Sequence, residues 1–214
     1  LARPSLYGHG LLGSGEEALR GTGANINIMA DDHQMMFCGT DWSGFAQEDI
    51  GYAISVLQDW SLGPAIFDRQ QQGFLNFMYL ARLLRHDNGL RSDPAFQAGG
   101  VPVFDHSNVY YDGNSQGGIL GGALLGMIQD VTRGVLGVSG MSYSFLLRRS
   151  IDFDLYKPFF SGADTGDSGG GYPSVKDQAI LLSMAQMLWD RAESSGYAYH
   201  IQNHPLPNTP AHAV

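Results

Sequence analysis

The segment Gly113-Asn114-Ser115-Gln116-Gly117 leaves the chain few local options. It follows an apolar region ending at Tyr111 and precedes a run of small residues that includes Gly118, Gly121, Gly122 and Ala123. That order reads as strand, sharp bend and helix. Glycines on either side of the serine remove the Cβ atoms that would clash in so tight a bend. The bend lifts the hydroxyl clear of the backbone. A serine needs this before a base can turn it into a nucleophile. Ser115 is the candidate reacting group. A glycine-rich turn that only permits close packing is the plainer account of the same residues.

Elsewhere the pattern alternates between strands and helices. Pro4 to Tyr7 is a short apolar run, and Asn25 to Ala30 alternates with period two and predicts a strand ending at Asp31-Asp32. Apolar spacing predicts a helix over 46–60, and Pro64 opens another that runs to about Arg85. Its inner face is expected to include Phe67, Phe74, Leu75, Met78 and Ala81. Val101 to Tyr111 and Val131 to Val138 read as strands. Residues 141–173 are irregular. Ser174 to Asp177 resembles a capping box, with a helix to about Glu193 whose stripe is Ile180, Met184, Leu188 and Arg191. Residues 194–214 read as loop, although Ala211 to Val214 looks like the start of a strand. The expected fold is α/β: a mostly parallel sheet flanked by helices, three layers in all, forming a single domain over 1–214.

Composition narrows the function. With 12 basic and 21 acidic residues the net charge is -9, which disfavours nucleic acid and anionic membranes as partners. A single cysteine, Cys38, excludes an internal disulfide, and its apolar neighbours suggest a buried, inert thiol. The uncharged stretch Gly117–Ile128 is far short of the roughly 20 residues a bilayer span needs. No signal peptide is visible, but the chain begins at Leu1 and not at Met. The acidic balance and high glycine content are compatible with a secreted or periplasmic protein and do not assign a compartment. Nothing in the residues speaks to oligomeric state.

Gly8-His9-Gly10-Leu11-Leu12-Gly13 fits two patterns. As Gly-x-Gly-x-x-Gly after a strand, with Asp31 or Asp32 some 20 residues on, it matches a dinucleotide loop of the kind an NAD(P)-dependent oxidoreductase uses. As His-Gly-x-x-Gly it matches a loop that presents backbone N–H groups to an oxyanion. Both use unhindered amides aimed at negative charge. Pro4 makes a poor central first strand for the nucleotide reading.

Taken together, His9-Gly10-Leu11-Leu12-Gly13 after one strand and Gly113-Asn114-Ser115-Gln116-Gly117 after a later one resemble the α/β-hydrolase superfamily, on its esterase and lipase side. The resemblance covers about residues 3–140. It implies a serine hydrolase that cleaves a small carboxylic ester through an acyl-enzyme, with no cofactor and no metal. It implies Ser115 as nucleophile and the amides of Leu11 and Gln116 as the oxyanion hole. His9 and Gly10 would stiffen the supporting loop, and residues 141–200 would form a cap or lid. A non-catalytic domain of the same fold is the other reading.

The family order places an acid and then a histidine after the serine. Only one convincing strand follows Ser115, so both are expected beyond Val214. His204 is the in-chain candidate for the base, in a segment that Pro205 and Pro207 mark as loop. Aromatic and methionine residues of the cap region, from Tyr143 to Met187, suggest an apolar acyl or aryl group on the substrate. Asp164 to Gly169 faintly resembles a calcium loop but lacks its carboxylate spacing. Asp31-Asp32-His33 are adjacent and point in different directions, a poor arrangement for a shared ion. Asp41-Trp42 either lines the mouth of the site or anchors a loop.

Overall fold

The computed structural model describes residues 1–20, 24–163 and 170–214. In chain order, β1 (Arg3–Gly8) leads to α1 (Glu17–Arg20), α2 (Ala24–His33), β2 (Met35–Gly39), α3 (Ile50–Gln58) and the long α4 (Gly63–Arg85). A small antiparallel pair, β3 (Gln97–Ala98) and β4 (Val101–Pro102), precedes β5 (Val109–Asn114), α5 (Gln116–Leu125) and β6 (Val131–Gly137). Then come α6 (Tyr143–Leu147), α7 (Lys157–Ser161), α8 (Val175–Trp189) and α9 (Ala198–Gln202).

The main sheet has the order β2-β1-β5-β6, and every pairing is parallel. The chain moves outward from β1 to β2, then returns to the other side of β1. That reversal opens a crevice at the carboxyl ends of β1 and β5, where open α/β sheets bind ligands. Gly8 and Gly113 are in register there. Successive side chains face opposite ways. Leu6 and Tyr111 enter the main core with Phe74, Phe77 and Leu120, while Tyr7 packs with Ala18, Ile26 and Phe37 on the opposite face. Helices therefore cover the sheet from both sides.

Several expectations change. Asn25–Ala30 lies in α2, and the second strand is Met35–Gly39. Parallel neighbours cannot be joined by a tight turn and need a crossover, and α2 forms part of that connection. Asp31 and Asp32 thus lie in the last turn of α2, just before the amino end of β2 and not at the carboxyl end of a strand. In α8 the buried residues are Gln178, Leu182, Ala185 and Trp189, while Ile180 is 48% and Met184 63% exposed. Both stripes have helical spacing. The aromatic partners of Trp189 decide between them: Tyr143 stacks on it at 4.8 Å and Phe67 meets it edge-on at 5.1 Å. Leu75 of α4 is exposed, and Phe77 takes the inner position. Residues 198–202 form a helix where loop was expected, and Ala213 makes a single parallel bridge to Arg133 of β6. The Gly21–Gly23 break and the Asp164–Gly169 loop lie outside the described residues. Among the described residues, no helix is long and apolar enough to cross a membrane.

Candidate active site

Ser115 stands between β5 and α5 with φ 57 and ψ -121. A serine at a helix N-cap normally has extended backbone, and its hydroxyl accepts from an N–H of the first turn. Ser115 does neither: its side chain makes no capping bond, and its own N–H donates to the Gly137 carbonyl at 3.0 Å. The conformation lies outside the small left-handed region open to most residues. The surrounding backbone enforces it. A Cβ on Gly117 would strike the Gly8 carbonyl, and one on Gly113 would strike the Gly117 carbonyl and the Tyr111 hydroxyl. Tyr111 is 2% exposed, and its hydroxyl donates to the Gly117 carbonyl at 2.5 Å. Burial holds that phenol well above its usual pKa.

The glycine loop reaches the same edge. His9 is fully buried. Its Nε2 accepts from the Trp42 N–H at 2.8 Å, so Nδ1 carries the proton and donates to the Gly10 carbonyl at 2.8 Å. Both ring nitrogens are occupied, and burial lowers the pKa of the imidazole. His9 has no nitrogen left for a serine hydroxyl. The Gly10 N–H donates to Glu17 at 3.3 Å, and Gly13 closes back on the Gly10 carbonyl at 3.2 Å. Asp41 accepts from the Gly15 N–H at 2.7 Å, and Trp42 stacks on Phe77 at 3.9 Å, so this pair anchors the loop. The helix that follows the loop, α1, is a single turn, and Asp31 and Asp32 belong to α2. The nucleotide pattern therefore loses both of its expected acids.

Ser115, Leu11 and Gln116 border one open cavity of about 380 Å³, together with Val138, Arg149 and Asp152. The Leu11 N–H makes no hydrogen bond among the described residues. Gln116 is the first residue of α5, where the backbone N–H has no partner within the helix. The Gln116 side chain turns inward and donates to the Phe45 carbonyl at 2.9 Å. Leu12 (φ 49) and Val138 (φ 44) also hold positive φ, and both sit beside this part of the fold. Strained backbone of this kind persists only where the surrounding structure fixes it, and it concentrates at functional sites.

A small gap of about 50 Å³ adjoins the first and shares Leu11, Tyr143, Leu147 and Phe153 with it. No histidine borders either one. His204 stacks on Tyr199 at 4.3 Å, and His200 Nδ1–H donates to the His204 carbonyl at 2.7 Å. His212 is buried, faces the main chain of Val131 and Ile128, and is shifted to lower pKa by burial. Cys38 is only half-buried, and desolvation raises its thiol to about 11.

Sequence reasoning missed the brace behind α6. Glu193 is fully buried and accepts from the Tyr143 N–H at 3.0 Å, from Ser195 Oγ at 2.5 Å and from the Gln186 side-chain amide. Burial outweighs these bonds and raises its pKa. The neighbouring Ser194 donates to the Ile119 carbonyl of α5 at 2.6 Å. No local pattern marks Glu193, because its partners lie as far as 50 residues away. Tyr111 could have been found, since it lies two residues before Gly113 on the same strand face. The described residues contain no group of three His, Cys, Asp or Glu side chains suited to a metal.

No protein-family description matches the chain, and no curated protein matches it in sequence. Among solved structures, the crystal structure of acetyl xylan esterase 1 from Thermoanaerobacterium sp. JW/SL YS485 matches with a TM-score of 0.48 and 14% identity. The match covers 97% of this chain and 63% of that one.

Proposed function

We propose that the protein is a serine hydrolase that cleaves a carboxylic ester, with Ser115 as nucleophile. The observation that carries this reading is an N-cap serine that does not cap: its backbone is held at φ 57, and its side chain borders a cavity instead of the helix end. A structural turn would gain a capping bond and would need no such strain. In the proposed reaction Ser115 Oγ attacks the ester carbonyl, the alcohol leaves, and water releases the acid. The N–H groups of Leu11 and Gln116 receive the developing oxyanion. By analogy with measured cases, each such donor is worth roughly 3 kcal/mol. His9 and Gly10 hold the loop that carries Leu11. A histidine other than His9 takes the serine proton, and an acid orients it. Residues 141–200 serve as the cap; Glu193 joins α6 to the end of α8 within it, and Ser194 fastens it to α5.

The test is covalent labelling with a fluorophosphonate, mapped by peptide mass spectrometry. One adduct on Ser115 is expected, absent in Ser115→Ala, together with hydrolysis of p-nitrophenyl esters that disappears in the same variant. Ester hydrolysis that survives Ser115→Ala overturns the assignment.

A further inference from the structure

One buried side chain lies against every segment that carries a group of the candidate site. Tyr111 is 2% exposed and does not border the cavity that holds Ser115. Its hydroxyl donates to the carbonyl of Gly117, the residue after Gln116. The same oxygen fills the space that a Cβ would take on Gly8, three residues before Leu11, and on Gly113, two residues before Ser115. The edge of its ring fills the corresponding space beside Gly121, one turn further along α5. Four glycines thus form a socket around one phenol. The Trp42 ring lies 3.1 Å from the Cβ position of Gly8 as well, and the Trp42 N–H holds His9. Packing alone does not call for this arrangement. A phenylalanine would fill the core without needing an acceptor, whereas a buried phenol must find one. Glycines within strands and helices also weaken those elements.

We infer that Tyr111 is a positioning residue: its hydroxyl fixes the spacing between the glycine loop that carries Leu11 and the first turn of α5 that carries Gln116, so that both N–H groups aim at one point. The inference rests on the hydrolase reading of Ser115, because only in that reading do the two amides share a task. Donors of this kind act by being set in place before the reaction begins. A misplacement of about 1 Å can cost on the order of a hundredfold in rate. Tyr111 reaches no substrate from outside the cavity, so loss of its hydroxyl acts on the reaction step and not on binding.

The test compares wild type with Tyr111→Phe, which keeps the ring and loses the oxygen, and with 4-aminophenylalanine at position 111, which restores a donor in the same place. Fluorophosphonate labelling of Ser115 and hydrolysis of p-nitrophenyl acetate are followed, and each rate is divided by the folded fraction read from urea unfolding. Tyr111→Phe is expected to lower kcat and the maximal labelling rate by at least about tenfold, with KM within about twofold of wild type. The amino side chain is expected to recover most of that loss. Labelling and turnover by Tyr111→Phe equal to wild type overturn the inference and leave the hydrolase reading intact. A loss that disappears on correction for folding, a loss confined to KM, or an amino variant as slow as Tyr111→Phe does the same. A wild type whose Ser115 takes no fluorophosphonate overturns the hydrolase reading, and the role of Tyr111 with it.

Discussion

Replacing Ser115 with glycine is expected to stabilise the protein while abolishing the proposed ester hydrolysis. At φ 57 and ψ -121 the Cβ of residue 115 is crowded by its own backbone. Such conformations cost about 1–3 kcal/mol. Glycine removes the crowding but enlarges the freedom of the unfolded chain, a loss of roughly 0.5–1 kcal/mol. No side-chain capping bond is forfeited, since Ser115 makes none. The net expectation is a gain of about 1 kcal/mol, a rise of roughly 2–4 °C in Tm for a chain of this size. Ser115→Ala is the control. It loses the same hydroxyl but keeps the Cβ, so its stability should stay near wild type. Urea unfolding of the three proteins reads the difference; with a slope of about 2 kcal/mol per molar, glycine should shift the midpoint upward by roughly half a molar. Both variants should refuse the fluorophosphonate. A glycine variant equal to or weaker than the alanine variant would show that the bend stores no strain, and the argument from Ser115 would fall.

Two further outcomes are expected. Gly117→Ala should destabilise by roughly 1–3 kcal/mol, because the new methyl meets the Gly8 carbonyl, whereas Gly10→Ala, with open space around its Cβ, should gain about 0.4–1 kcal/mol; urea midpoints of the pair check both signs. His9 and His212 have folded pKa values below those of the unfolded chain, so they have no effect above about pH 6.5 and remove stability as pH falls from there toward their folded values. The loss is at most about 1.4 kcal/mol per pH unit for each ring. Glu193, raised by burial, acts with the opposite sign from about pH 4.5 upward. Histidine proton shifts followed by NMR should show the His9 and His212 rings titrating below a free imidazole, and either ring titrating at or above that value would refute this.

The alternation of strands and helices was legible because period and turn chemistry act locally. Gly113 to Gly117 announced the bend, and Pro64 announced the start of α4. α2 was misread because Asn25 to Ala30 fits a strand in isolation; the parallel pairing of β1 with β2 needs a crossover there, and α2 forms part of it. The buried stripe of α8 was misread for a related reason. Two helical stripes are available in its sequence, and the choice falls to rings from elements far away, Phe67 of α4 and Tyr143 of α6. At the candidate site, the bend at Ser115 was readable from the glycine spacing around it. The tautomer of His9, the brace at Glu193 and the adjoining gap arise from contacts between distant segments, and no local pattern encodes them.

At the start of α5, Gly117 and Gly118 meet the carbonyls of Gly8 and Gly137, glycine against backbone oxygen. Where two main chains abut, there is nothing to repack. Substitutions elsewhere in the core can drift through generations of exchange among Leu, Ile and Phe without moving residue 115 by a bond length. The position of the Ser115 hydroxyl is in this sense insulated from the evolution of the interior that surrounds it.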